Sequence, residues 1–102
     1  MRKFYRQGDI AFEELLGKNE IPKGLVPQAI ALEIHGEKEG HVHRMTGIQV
    51  LVPPKQKEIL PAVIVVEEET EMTHPEHEPL KIPPGVFKVT QFREYQNPRP
   101  VD

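Results

Sequence analysis

Eleven prolines and seven glycines are spread along 102 residues, and they leave few stretches long enough for a helix. Proline removes a backbone donor and clashes with the preceding turn, while glycine weakens a helix interior, so punctuation at this density favours short extended segments. The segments between the breakers carry strand periodicity. Ile10 and Phe12 alternate in Gly8–Glu13, and Ile30, Leu32 and Ile34 alternate in Gln28–Ile34, which predicts two half-buried strands. Gly17–Pro27 between them is rich in turn residues and reads as a surface excursion, with at most a helical turn around Glu13–Leu16.

The polar stretch His35–Gly40 reads as a turn that leads into His41–Met45 and Gly47–Val52, closed by Pro53 and Pro54. Ala62–Val66 is apolar at every position and β-branched, as expected of a central strand covered on both faces. The acidic run Glu67–Glu71 precedes a polar corner at Met72–His77, and Pro83-Pro-Gly85 turns the chain into a last strand from Val86 to Tyr95. Seven or eight short strands with little helix predict a mainly β fold, a small single-domain barrel or sandwich over residues 1–95 with a flexible tail at 96–102.

The chain has no cysteine, which excludes disulfides and thiolate metal sites and leaves imidazole and carboxylate as the available ligands. No apolar run approaches the roughly 18 residues of a membrane span, and none follows the basic N-terminus as a secretion signal requires. A cytoplasmic location and no membrane partner are therefore expected. A net charge of -3 gives no general affinity for nucleic acid, although local basic grooves remain compatible with RNA.

Chemistry is expected at the histidines. In a strand His41 and His43 face one side, two residues apart, and His74 and His77 flank a proline-containing turn that can converge their rings. Four imidazoles suit a divalent metal such as Zn²⁺, Ni²⁺ or Fe²⁺, with Asp9, Glu39 or Glu76 as further ligand, supporting partner or general base. On the last strand Phe87, Val89, Gln91, Arg93 and Tyr95 share a face that begins apolar and ends polar, as in a strand entering a pocket. Arg93 would grip an anionic group and Tyr95 would donate a hydrogen bond.

Three readings compete. The first is a metal-assisted hydrolase or lyase on a small anionic substrate, with Glu76 or Glu39 taking the proton of an activated water. The second is a metal-free ribonuclease or phosphodiesterase using one histidine as base and another as acid, with Arg44, Lys88 or Arg93 stabilising the transition state. The third is a non-enzymatic binding module, a homo-oligomer joined through open sheet edges with histidines at the interface.

The motifs Tyr5-Arg-Gln-Gly-Asp9, Gly40-His-Val-His-Arg44, His74-Pro-Glu-His77, Pro83-Pro-Gly85 and Gln91-Phe-Arg-Glu-Tyr95 resemble those of a group of short, uncharacterised bacterial, archaeal and phage-encoded proteins. The resemblance implies that the histidine pairs and the Arg93-Glu94-Tyr95 segment belong to one pattern. A looser similarity to cupins rests on His41-Val-His43. It departs from the cupin ligand pattern at Gly47 and Ile48, where a glutamate is expected, and at Lys88, where a histidine is expected.

Overall fold

Period-two alternation and frequent turns produce eight strands and no α-helix among the described residues of the computed structural model, which are 1–35 and 40–92. The strands are β1 (Phe4–Gln7), β2 (Ile10–Glu14), β3 (Val26–His35), β4 (Val42–Val52), β5 (Ala62–Val66), β6 (Thr70–His74), β7 (His77–Ile82) and β8 (Gly85–Gln91). Every pairing is antiparallel, in the order β1-β2-β8-β5-β4-β6-β7, with β3 on β4. The sheet curls into a nearly closed barrel, which resolves the choice between barrel and sandwich. No helix is long and apolar enough to cross a membrane among the described residues.

Closure depends on β4. Its second half, Ile48–Leu51, pairs with β5, whereas Arg44 in its first half pairs with Thr73 of β6. Between Ala29↔Val50 and Ala31↔Thr46 the β3–β4 register skips three residues of β4 against one of β3. Gly47 supplies the bulge with a φ of 72°, a conformation that costs side-chain-bearing residues dearly. One strand thereby serves two parts of the sheet.

The remaining seam lies between β1 and the β6–β7 hairpin. It is bridged by one buried side chain, since Gln7 Nε2 donates to Met72 O at 2.9 Å and to Glu78 O at 2.8 Å. Inside, Ile10, Phe12, Leu32, Ile34, Met45, Val50, Ile64, Met72, Ile82, Phe87 and Val89 form the core. β5 is central, as its composition predicts, with four of its five residues buried.

Two local expectations change. The helical turn lies at Lys18–Glu20 as a short 3₁₀ segment and not at Glu13–Leu16, because Glu13 and Glu14 pair with Lys88 and Phe87 of β8. Ile30 is 78 % exposed although Leu32 and Ile34 are buried, since the bulge lifts the first part of β3 off the core. Glu39, Glu94 and the 96–102 tail lie outside the described residues, as do Arg93 and Tyr95.

Candidate metal centre at the barrel seam

Two hairpin tips and one strand build the site. Gln7↔Ile10 pairing leaves Gly8-Asp9 as a two-residue turn, and His74↔His77 pairing leaves Pro75-Glu76 as another. The second turn brings the His74 and His77 rings to 4.4 Å between centroids, the convergence expected of the His-x-x-His corner. β4 carries His43 inward, 1 % exposed, between the two tips. Its ring lies 4.4 Å from His74 and 6.2 Å from His77, and the His41 ring lies 5.5 Å from His74. All four predicted histidines are thus brought together.

Hydrogen bonding fixes where the protons sit. Both amide hydrogens of Gln7 are spent on the Met72 and Glu78 carbonyls, so its Oε1 faces His43 Nδ1, 2.9 Å away, as an acceptor. His43 Nδ1 therefore carries a proton. Burial pushes the His43 pKa down, Asp9 pulls it up, and His77 lowers it further; the net direction is down, toward the neutral ring. A neutral ring protonated at Nδ1 holds a lone pair at Nε2, and that atom stands 3.0 Å from Asp9 Oδ1. Two acceptors at this separation repel unless a proton or a cation lies between them. The other carboxylate oxygen, Asp9 Oδ2, accepts from Gln91 Nε2 at 2.9 Å, and the same nitrogen also donates to His35 O at 3.1 Å.

His74 has the opposite polarity. The Glu76 backbone N–H donates to its Nδ1 at 3.0 Å, which leaves the hydrogen of the neutral ring on Nε2. Burial is the first cause of its lowered pKa, followed by His43, His77 and His41, against a smaller upward pull from Glu76. Two rings in contact thus present a lone pair and an N–H. His41 Nε2 lies 3.3 Å from Glu76 Oε2, and His77 Nε2 packs over Gly8 so closely that a Cβ there would lie 2.8 Å from it. Among the described residues, no group of three or more His, Asp or Glu side chains is gathered about one point, as these side chains stand, to hold a metal ion.

Two of the cations proposed from sequence, Arg44 and Lys88, are elsewhere, and the third, Arg93, lies outside the described residues. Arg44 points outward and binds Glu33 at 2.9 Å, and Lys88 lines a separate groove with Arg2, Glu13 and Glu20. The strand face expected to enter a pocket does so as far as the structure describes it: Phe87 and Val89 are in the core and Gln91 reaches Asp9. Gln7 enters the sequence reading only as part of the Tyr5-Arg-Gln-Gly-Asp9 motif, with no role of its own. The available signal was its place before Gly8-Asp9, at the end of a strand whose turn points to the histidines.

No curated protein and no solved structure matches this chain. A family model described as a domain of unknown function, DUF8820, matches residues 6–91, a span that contains Gln7, Asp9, all four clustered histidines and Gln91. The chain belongs to the DUF8820 family.

Proposed function

We propose that the histidine cluster is a divalent-metal site centred on His43 Nε2 and Asp9 Oδ1, and that it serves metal-assisted hydrolysis of a small anionic substrate. The observation that carries this reading is the 3.0 Å approach of His43 Nε2 to Asp9 Oδ1, each group with its far side already engaged. His43 Nδ1–H is held by Gln7 and Asp9 Oδ2 by Gln91, which is how ligating imidazoles and carboxylates are commonly oriented. Rings that share one ion through bonds of about 2.1 Å stand roughly 5–6 Å apart, close to the 6.2 Å between His43 and His77. His77 is assigned as a further ligand, and His41 would join by rotating away from Glu76. His74, with its proton on Nε2, is assigned as a donor to the substrate in place of the fourth ligand expected from sequence. A bound metal would supply an activated water, and Glu76 would take its proton. Arg93 and Tyr95 remain the candidates for gripping the anion.

A second reading is supported by the opposite proton placement on His43 and His74. A lone pair and an N–H on rings 4.4 Å apart are the base and acid of a metal-free phosphodiesterase or ribonuclease. Of the cations named for this reading, Arg44 and Lys88 face away, so it ranks second.

The discriminating experiment is elemental analysis of untagged protein after incubation with Zn²⁺, Ni²⁺ and Fe²⁺ in turn. Near-stoichiometric metal is expected, lost in His43→Ala and Asp9→Asn and retained in His74→Ala. Absence of metal from folded wild-type protein overturns the first reading and directs assays to RNA cleavage, where His43→Ala and His74→Ala should both be inactive.

A further inference from the structure

The first six residues of β3, Val26–Ala31, are all exposed, although they form a strand paired along β4. A strand with a sheet neighbour normally buries one face; this segment leaves both faces and its outer edge open. Among the described residues β3 pairs with β4 alone, and the whole strand is ten residues long. Val26-Pro-Gln-Ala-Ile-Ala-Leu32 contains no charged residue. Open edges are ordinarily blunted by charges, by prolines or by shortness; this one carries a proline near one end and no lysine.

Beside the edge lies a complementary feature. Ile30, 78 % exposed, stands at the rim of a hollow of about 230 Å³ lined by Gly47, Ile48, Gln49, Val65 and Glu67. The β4 bulge at Gly47 creates both parts, since it lifts Ile30 and leaves space beneath. An isoleucine projecting from an open edge strand meets its own copy under a twofold axis.

We infer that β3 is the interface for a second copy of this chain, joined as an antiparallel β3–β3 pair in which the two exposed Ile30 side chains pack against each other beside the hollow. In a register centred on Ile30, Glu33 falls opposite Pro27 of the other copy, so no like charges meet. Glu33 itself is held by Arg44 across the β3–β4 ladder. The histidine cluster shares no residue with Val26–Ala31, so the inference stands whether or not that cluster holds metal.

The test is the molar mass of the full chain by sedimentation equilibrium at about 100 µM. Wild-type protein should give twice the 11.7 kDa monomer mass, and Ile30→Lys should give the monomer mass with an unchanged far-ultraviolet circular dichroism spectrum. Phe4→Ser, which removes an exposed aromatic from the other end of the sheet, should leave the dimer intact. A monomeric wild type, or a dimer that survives Ile30→Lys, overturns the inference.

Discussion

Gln7 does three things with one side chain: it satisfies two carbonyls of different strands and sets the tautomer of His43. Gln7→Leu keeps approximate bulk but strands the buried Met72 carbonyl, the part-buried Glu78 carbonyl and a ring N–H. Unpaired buried groups cost about 1–3 kcal/mol each, with partial relief through local relaxation, so a loss of about 3 kcal/mol is expected in urea denaturation. A loss under about 1 kcal/mol would show that water replaces the amide and that the seam does not depend on it. If the centre holds metal, the same change should weaken metal affinity about 10–100-fold, because His43 loses the partner that orients it. The sequence made the histidines legible because imidazoles in a strand and at a turn are unusual and their spacing dictates a shared side. Gln7 was not legible, because its role comes from a seam between strands 65 or more residues apart in the chain, which no local pattern encodes.

At the level of elements, the loop before β3 is held to the sheet by charge. Arg2 reaches Glu20 through two contacts of 2.8 and 2.6 Å, and the same carboxylate accepts the Leu16 N–H at 2.7 Å. The Arg2 hydrogen bond and the Leu16 N–H lower the Glu20 pKa from 4.5 to about 2. Because the folded value lies below the unfolded one, this contribution to stability is fully present above about pH 4.5 and is lost as the pH falls through 2. The melting temperature of wild type should therefore exceed that of Glu20→Gln near neutrality, with the gap closing between pH 4.5 and 2; a gap independent of pH would refute the assignment. Strand positions were readable from alternation at β2 and β8 and from the unbroken apolar run at β5. The lifted start of β3 was not, since Ile30 keeps the parity of Leu32 and Ile34 and only the extra residues of β4 opposite it reveal the bulge. The 3₁₀ turn was misplaced for a related reason, as the pairing of Glu13 and Glu14 with β8 overrides their local preference.

For the molecule as a whole, the core is one apolar layer wrapped by strands from both ends of the chain. Phe87 has no exposed surface and its ring meets Tyr5 edge-on at 6.0 Å, which joins β8 to β1 across β2. Phe87→Ala should cost about 3–5 kcal/mol, a large share of the roughly 5–15 kcal/mol typical of a small domain, and thermal denaturation should show a fall of many degrees or no cooperative transition. Retention of the wild-type melting temperature would mean that the β1–β2–β8 layer is not part of the cooperative core. β2 meets β8 only when Ile10 finds Gln91, so Asp9 and Gln91 are brought together across 82 residues of chain. During synthesis the first hairpin waits, half-paired, until β8 has left the ribosome, and the contacts of Asp9 with His43 and Gln91 are completed only then.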